Sequence, residues 1–305
     1  MKITKTIKPF LIGLGLAFAA MSAQAQTNIV TTTGMIADIV ENIGGDTVNV
    51  TPLMGTGVDP HLYKATQGDL RKLTKAEIIF FNGLYLEGKM QEIFEKMGRN
   101  KPVIPVADNI PESQLIYHGE VADPHVWFDV QLWSKAAETV LESLIKFDPK
   151  NQALFEKNAA VYFKELAELD EWIGLQIKTI PAKQRMLITA HDAFGYFGIA
   201  YGLEVRGLQG VSTAAEFGLQ DIKILKDLIV ANNIKAVFSE SSVSPRFIES
   251  LVKGVKAEGH ELEVGGELYS DAMGLKGTPE GNYIGMVKHN VNTIVNALKG
   301  ETSNE

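Results

Sequence analysis

The chain has 305 residues, with 29 Lys and Arg against 37 Asp and Glu, a formal net charge of −8 and no cysteine. An acidic surface repels phosphate backbones and anionic lipid, which argues against nucleic-acid and membrane-surface binding. The lack of cysteine excludes disulfides and a cysteine-linked lipid anchor, and about 280 residues beyond a leader suffice for one large or two medium domains.

Lys2, Lys5 and Lys8 precede an apolar run from Phe10 to Met21, and Ala23-Gln24-Ala25 follows. A basic start, a short apolar core and a small-x-small site describe a secretory signal peptide over residues 1–25, cut after Ala25. A transmembrane anchor would need about 20 apolar residues, more than this run supplies. The mature chain is expected to begin at Gln26, to be soluble and to be kept in a periplasm.

Strand patterns follow at Asn28 to Thr33, Val48 to Met54, Glu77 to Asn82 and Val103 to Ala107, with helical pattern between them. The alternation resumes at Met186 to Ala190, Leu203 to Leu208, Ala236 to Ser239 and Glu263 to Glu267. Alternating strand and helix predicts an α/β fold of two lobes, each a parallel-rich sheet flanked by helices. The expected boundaries are 26–148 for the first lobe, 149–180 for a linking helix and 181–305 for the second lobe.

The link has Pro149 to start it, Pro181 to stop it and only Gly174 inside, and so reads as one long rigid helix. Leu154, Ala160, Phe163, Leu166, Leu169, Trp172 and Leu175 are its expected buried face.

Three of the six histidines fall in a loop or just beyond a predicted strand: His61, His125 and His191. Asp271 is placed likewise. Ligands of open parallel sheets bind in the crevice at the carboxyl ends of strands, and each lobe supplies two of these four residues. Imidazole and carboxylate are zinc donors, so three histidines and an aspartate make a four-ligand shell; the alternative is four unrelated loop residues.

Asp-Pro-His occurs twice, as Asp59-Pro60-His61 and Asp123-Pro124-His125, and proline presents the histidine on a stiff backbone. Asp59 and Asp123 either support the imidazoles, which usually donate their second nitrogen to a carboxylate or carbonyl, or cap a turn. Glu240, at the end of a strand facing the same crevice, is open to the same two readings.

These residues carry a resemblance. The chain is similar to the metal-binding solute-binding proteins of ATP-binding-cassette importers for zinc and manganese, over nearly its whole mature length. The marks are Gly57-Val58-Asp59-Pro60-His61, Asn82-Gly83-Leu84 with Leu86-Glu87, Asp123-Pro124-His125-Val126-Trp127, His191-Asp192-Ala193-Phe194-Gly195-Tyr196-Phe197 and Glu240-Ser241-Ser242.

The resemblance implies that His61 and His125 from the first lobe, with His191 and Asp271 from the second, bind one divalent ion for a membrane permease, and that the protein is a monomer. Asp192 is the rival to Asp271 and reads as part of a turn. Family members tuned to manganese often carry glutamate where this chain has His191, and nitrogen donors favour zinc. The loop from His118 to Asp123 lacks the histidine-rich insert of many zinc specialists. Zinc is the expected cargo, with manganese second.

Gly83 to Lys89 imitates a phosphate-binding loop but fails at Met90, where a hydroxyl is needed for magnesium. His-Glu-x-x-His and Gly-x-Ser-x-Gly are absent, so no enzymatic activity is expected. Two rival readings remain: a secreted zinc-dependent hydrolase using the same histidines, and an adhesin stabilised by metal. His118, His260 and His289 are expected to be solvated or capping residues.

Overall fold

The computed structural model describes residues 25–215 and 218–300. The expected leader, apart from Ala25, lies outside them. The first strands are β1 (Thr27–Thr31), β2 (Val48–Pro52), β3 (Ile78–Phe81) and β4 (Val103–Pro105), in the all-parallel order β2-β1-β3-β4. The central strands are apolar on both faces, as a parallel sheet covered on both sides requires. Ile29, Ile78 and Phe80 enter one core, whereas Val30, Ile79 and Phe81 enter another, the period-two alternation of a strand.

Helices α1 (Gly34–Gly44), α2 (Gln67–Lys75) and α3 (Gln91–Gly98) connect these strands. The start of α2 is fixed by a capping box, with Thr66 accepting from the Asp69 N–H while the Asp69 carboxylate accepts from the Thr66 backbone. A hairpin of β5 (Tyr117–His118) and β6 (Val121–Ala122), absent from the sequence expectations, turns at Gly119. Helix α4 (Val130–Phe147) follows, capped by Asp129.

A short turn at Pro149–Asn151 leads into α5 (Gln152–Lys178), 27 residues long. Its buried face is Phe155, Ala159, Tyr162, Leu166, Leu169, Ile173 and Ile177, which corrects the expected one. Only Leu166 and Leu169 are shared, and Leu175 is 56% exposed. The expected positions recur mainly every third residue, a spacing that walks around a helix of 3.6 residues per turn; the observed ones mix steps of three and four and stay on one side.

The second lobe holds β7 (Met186–His191), β8 (Glu204–Gln209), β9 (Ala236–Glu240) and β10 (Glu263–Leu268). They form two parallel pairs, β7 with β8 and β9 with β10, and β7 lies beside β9. Helices α6 (Gly195–Tyr201), α7 (Leu219–Ala231), α8 (Arg246–Ala257) and α9 (Tyr283–Lys299) complete it. Each expected strand is present, with its ends within two residues of those expected.

One core runs from the first sheet through α1, α4 and α5 to α9, so α5 is clamped by helices from both halves of the chain. Such a shared, close-packed core resists wide hinge opening. No helix among the described residues is long and apolar enough to cross a membrane.

Candidate metal centre

Four loops or strand ends meet between the lobes. His61 lies between β2 and α2, His125 follows β6, His191 ends β7, and Asp271 lies just beyond β10. All four are buried, and one ligand atom from each lies within 4.8 Å of every other. His125 Nε2 is 3.3 Å from both His61 Nε2 and His191 Nε2. Asp271 approaches His125 and His191 at 3.4 Å and His61 at 3.9 Å.

A tetrahedral ion with bonds of about 2.0–2.1 Å has donor–donor edges of about 3.3–3.4 Å. The two nitrogen–nitrogen separations match that figure, while Asp271 spans the site with both oxygens, Oδ1 toward His125 and Oδ2 toward His191 and, at 3.9 Å, His61.

The supporting contacts differ between the histidines. The His125 Nδ1–H donates to Asp123 Oδ1 at 2.7 Å, and the same oxygen accepts the His125 backbone N–H. Asp123 therefore plays both roles open to it in the sequence. Glu240 does likewise with separate oxygens: Oε2 accepts from His191 Nδ1 at 2.5 Å and Oε1 accepts from the His191 backbone at 2.8 Å.

Asp59 is different. It accepts the His61 backbone N–H at 2.8 Å and a hydroxyl bond from Thr213 at 2.6 Å, and makes no bond to the imidazole ring. Occupying Nδ1 with a carboxylate turns the lone pair of Nε2 inward. Imidazole nitrogens converging at these distances need protons or a cation among them.

Burial works against charge on each imidazole. At His61 it prevails and pushes the pKa down to about 4. At His125 it is outweighed by the Asp123 and Asp271 carboxylates, which push the pKa up to about 9. His191 is likewise raised well above the ordinary value, because Glu240 and Asp271 overcome its burial. Burial would raise Asp271, but His191 and His125 hold it well below the usual carboxylate range. Asp271 Oδ1 is buried without a hydrogen-bond partner. An orphaned buried carboxylate oxygen is costly unless something cationic sits against it.

The remaining sequence candidates fall outside the cluster. Asp192 belongs to the turn after β7, its backbone N–H bonded to Gly210 O. That turn depends on Gly207, where a Cβ would meet the Asp192 nitrogen at 2.3 Å. His118 is 3.8 Å from Asp123, His260 bonds Ile234 O and His289 bonds Glu267 O.

The Gly83–Lys89 loop is filled by its own Glu87, which accepts from Thr32 Oγ1 and the Asn82 and Gly83 N–H groups. A carboxylate occupies the amides that a phosphate would need. Sequence reasoning missed that role, and also Thr213, Tyr196 and Ser270. Tyr196 donates to Asp123 O, and Ser270 O accepts from Trp127 across the lobes. Glu87 and Tyr196 lie inside motifs of the resemblance, but nothing local shows the contacts of Thr213, Tyr196 and Ser270, whose partners lie far away in the chain.

A bilobed α/β molecule with three imidazoles and a carboxylate converging between its lobes has the form of a metal-capturing solute-binding protein. A family model described as zinc-uptake complex component A, periplasmic (ZnuA), matches residues 29–297, and the chain belongs to that family. It is a family of binding subunits of metal importers, not of enzymes.

The chain is 50% identical to the manganese-binding lipoprotein MntA of Bacillus subtilis, over 95% of each chain. To the zinc-binding protein TroA of Treponema pallidum it is 48% identical, over 94% of each. The solved structure of the periplasmic zinc-binding protein TroA from Treponema pallidum superposes with a TM-score of 0.89 at 48% identity, covering 90% of this chain and 99% of that one.

Proposed function

We propose that His61, His125, His191 and Asp271 hold one divalent transition-metal ion, and that the protein captures it outside the cytoplasm for the permease of an ATP-binding-cassette importer. The observation that carries this reading is the buried Asp271 carboxylate set between two imidazoles, with Oδ1 3.4 Å from His125 Nε2 yet without a hydrogen bond and Oδ2 3.4 Å from His191 Nε2. Four protein donors close the coordination shell and leave no position for an activated water, which suits capture and not hydrolysis.

Zinc is the first cargo and manganese the second. Three nitrogen donors favour zinc in the usual affinity order, and the short edges suit its tetrahedral shell. The relatives named above include a manganese binder and a zinc binder.

The lobes are assigned to 26–148 and 181–305, with 149–180 as the rigid link, supported by the clamped position of α5. Cleavage after Ala25 releases a monomer into the periplasm. The Bacillus relative is named a lipoprotein, whereas this chain has no cysteine to carry a lipid. Docking on the permease displaces the second lobe slightly and opens the shell.

The test is a competition titration of zinc and manganese into the metal-stripped chain from Gln26, with stoichiometry from elemental analysis. One zinc per chain that excess manganese does not displace is the expected result. Displacement by manganese reverses the order of cargoes, and no binding of either ion overturns the site.

A further inference from the structure

His61 is set apart from the other two imidazoles. Its Nδ1 has no hydrogen-bond partner among the described residues, whereas those of His125 and His191 are each held by a buried carboxylate. It is also the most exposed of the four, at 6%, with His125 and His191 at 0% and Asp271 at 2%. What fixes its ring is the backbone turn, closed by Asp59 Oδ1 on the His61 N–H.

The second oxygen of that carboxylate is held from the opposite lobe. Thr213 Oγ1 donates to Asp59 Oδ2 at 2.6 Å across 154 residues of sequence. Thr213 stands on the connection after β8, four residues beyond Gln209, which pairs with His191 in the parallel ladder. Its turn is tied internally, the N–H groups of Ala214 and Ala215 bonding Ser212 Oγ and Ser212 O. The segment that abuts His191 in the second lobe thus also reaches the support of His61 in the first.

We infer that Thr213 is a positioning residue for His61, acting through Asp59, so that lobe closure seats this imidazole and lobe opening frees it first. The inference rests on the metal-capture reading above. A hydrogen bond of 2.6 Å passes out of range after a movement of about 1 Å, so the link responds to the small displacements that the clamped α5 allows. When it breaks, the His61 turn loses the anchor that orients Asp59, while His125 and His191 keep their carboxylates.

The test compares zinc affinity and zinc dissociation into excess chelator for the chain from Gln26, Thr213→Val, Thr213→Ser, His61→Ala and the Thr213→Val/His61→Ala double variant. Valine keeps the shape of threonine and removes the donor. Thr213→Val should bind one zinc about tenfold more weakly, within the range for supporting contacts, with the loss in the dissociation rate. Thr213→Ser should return to within about twofold of the unaltered chain, because its hydroxyl keeps the bond.

In the His61→Ala background the valine substitution should cost nothing further, since coupled residues lose their effect together. Unchanged affinity in Thr213→Val overturns the inference, and so does an equal loss with and without His61. Bound zinc in the unaltered chain with either of those results sinks this inference alone. No bound zinc in the unaltered chain sinks the capture reading and this inference with it.

Discussion

His125 and His191 are each gripped at both ends, by a carboxylate on Nδ1 and on the backbone N–H and by Asp271 beyond Nε2. His61 has no carboxylate on Nδ1 among the described residues, and its backbone N–H is held by an aspartate that itself leans on the other lobe. The difference runs through their protonation. Carboxylates raise His125 to about 9 and His191 well above its ordinary value, while burial lowers His61 to about 4. On the proposed capture reading, two imidazoles held by carboxylates and one without such support would let a buried site be tight and still open by a small movement.

The largest effect should come from the carboxylate that serves both rigid imidazoles. Asp271→Ala should weaken zinc binding by more than the roughly hundredfold ceiling for loss of a supporting group, measured by chelator competition. A loss no greater than for a supporting residue would remove Asp271 from the ligand set.

Next come the two grips themselves, which the substitution to amide separates. Glu240 uses one oxygen for each bond, so Glu240→Gln turns an NH2 toward an N–H donor of His191. Asp123 receives both bonds on Oδ1, and Asp123→Asn can keep both. Glu240→Gln should lose about 10–100-fold in zinc affinity and Asp123→Asn clearly less. Equal losses would show that charge, and not hydrogen-bond direction, is what the carboxylates supply.

A pH series on the metal-stripped protein reads the same contrast as stability. His125 has a folded pKa above its ordinary 6.5, so its contribution is complete below 6.5 and is lost as pH rises to about 9. His61 has a folded pKa below 6.5, so its contribution is complete above 6.5 and is lost as pH falls to about 4. The melting temperature should therefore peak near pH 6.5 with respect to these groups and fall by a few degrees on the alkaline side. Zinc loading should remove the alkaline fall, and calorimetry at pH 7 in buffers of different ionisation enthalpy should show protons released on binding. A flat alkaline limb would mean that His125 carries no extra proton.

The last contrast is one of stability and concerns the helix that links the two lobes. Leu166→Ala on the buried side of α5 should cost about 2–5 kcal/mol in denaturant melts, and Leu175→Ala on its wet side no more than about 0.5 kcal/mol. The reverse order would restore the face expected from sequence.

The sequence by itself determined the α/β class, eight of the ten described strands and the long helix between Pro149 and Pro181, and through its family resemblance it pointed to the four residues that meet in the centre. Strand alternation, proline placement and histidines at strand ends are local signals, and local physics writes them into short stretches of chain. Only the tertiary structure decided which side of α5 is buried, because that depends on where α1, α4 and α9 press against it. It also decided that Asp123 and Glu240 hold an imidazole ring while Asp59 holds only a turn, and that Thr213 reaches Asp59 across 154 residues. A hydrogen bond is specified by distance and direction in space, and neither is readable from residue order until the lobes have packed.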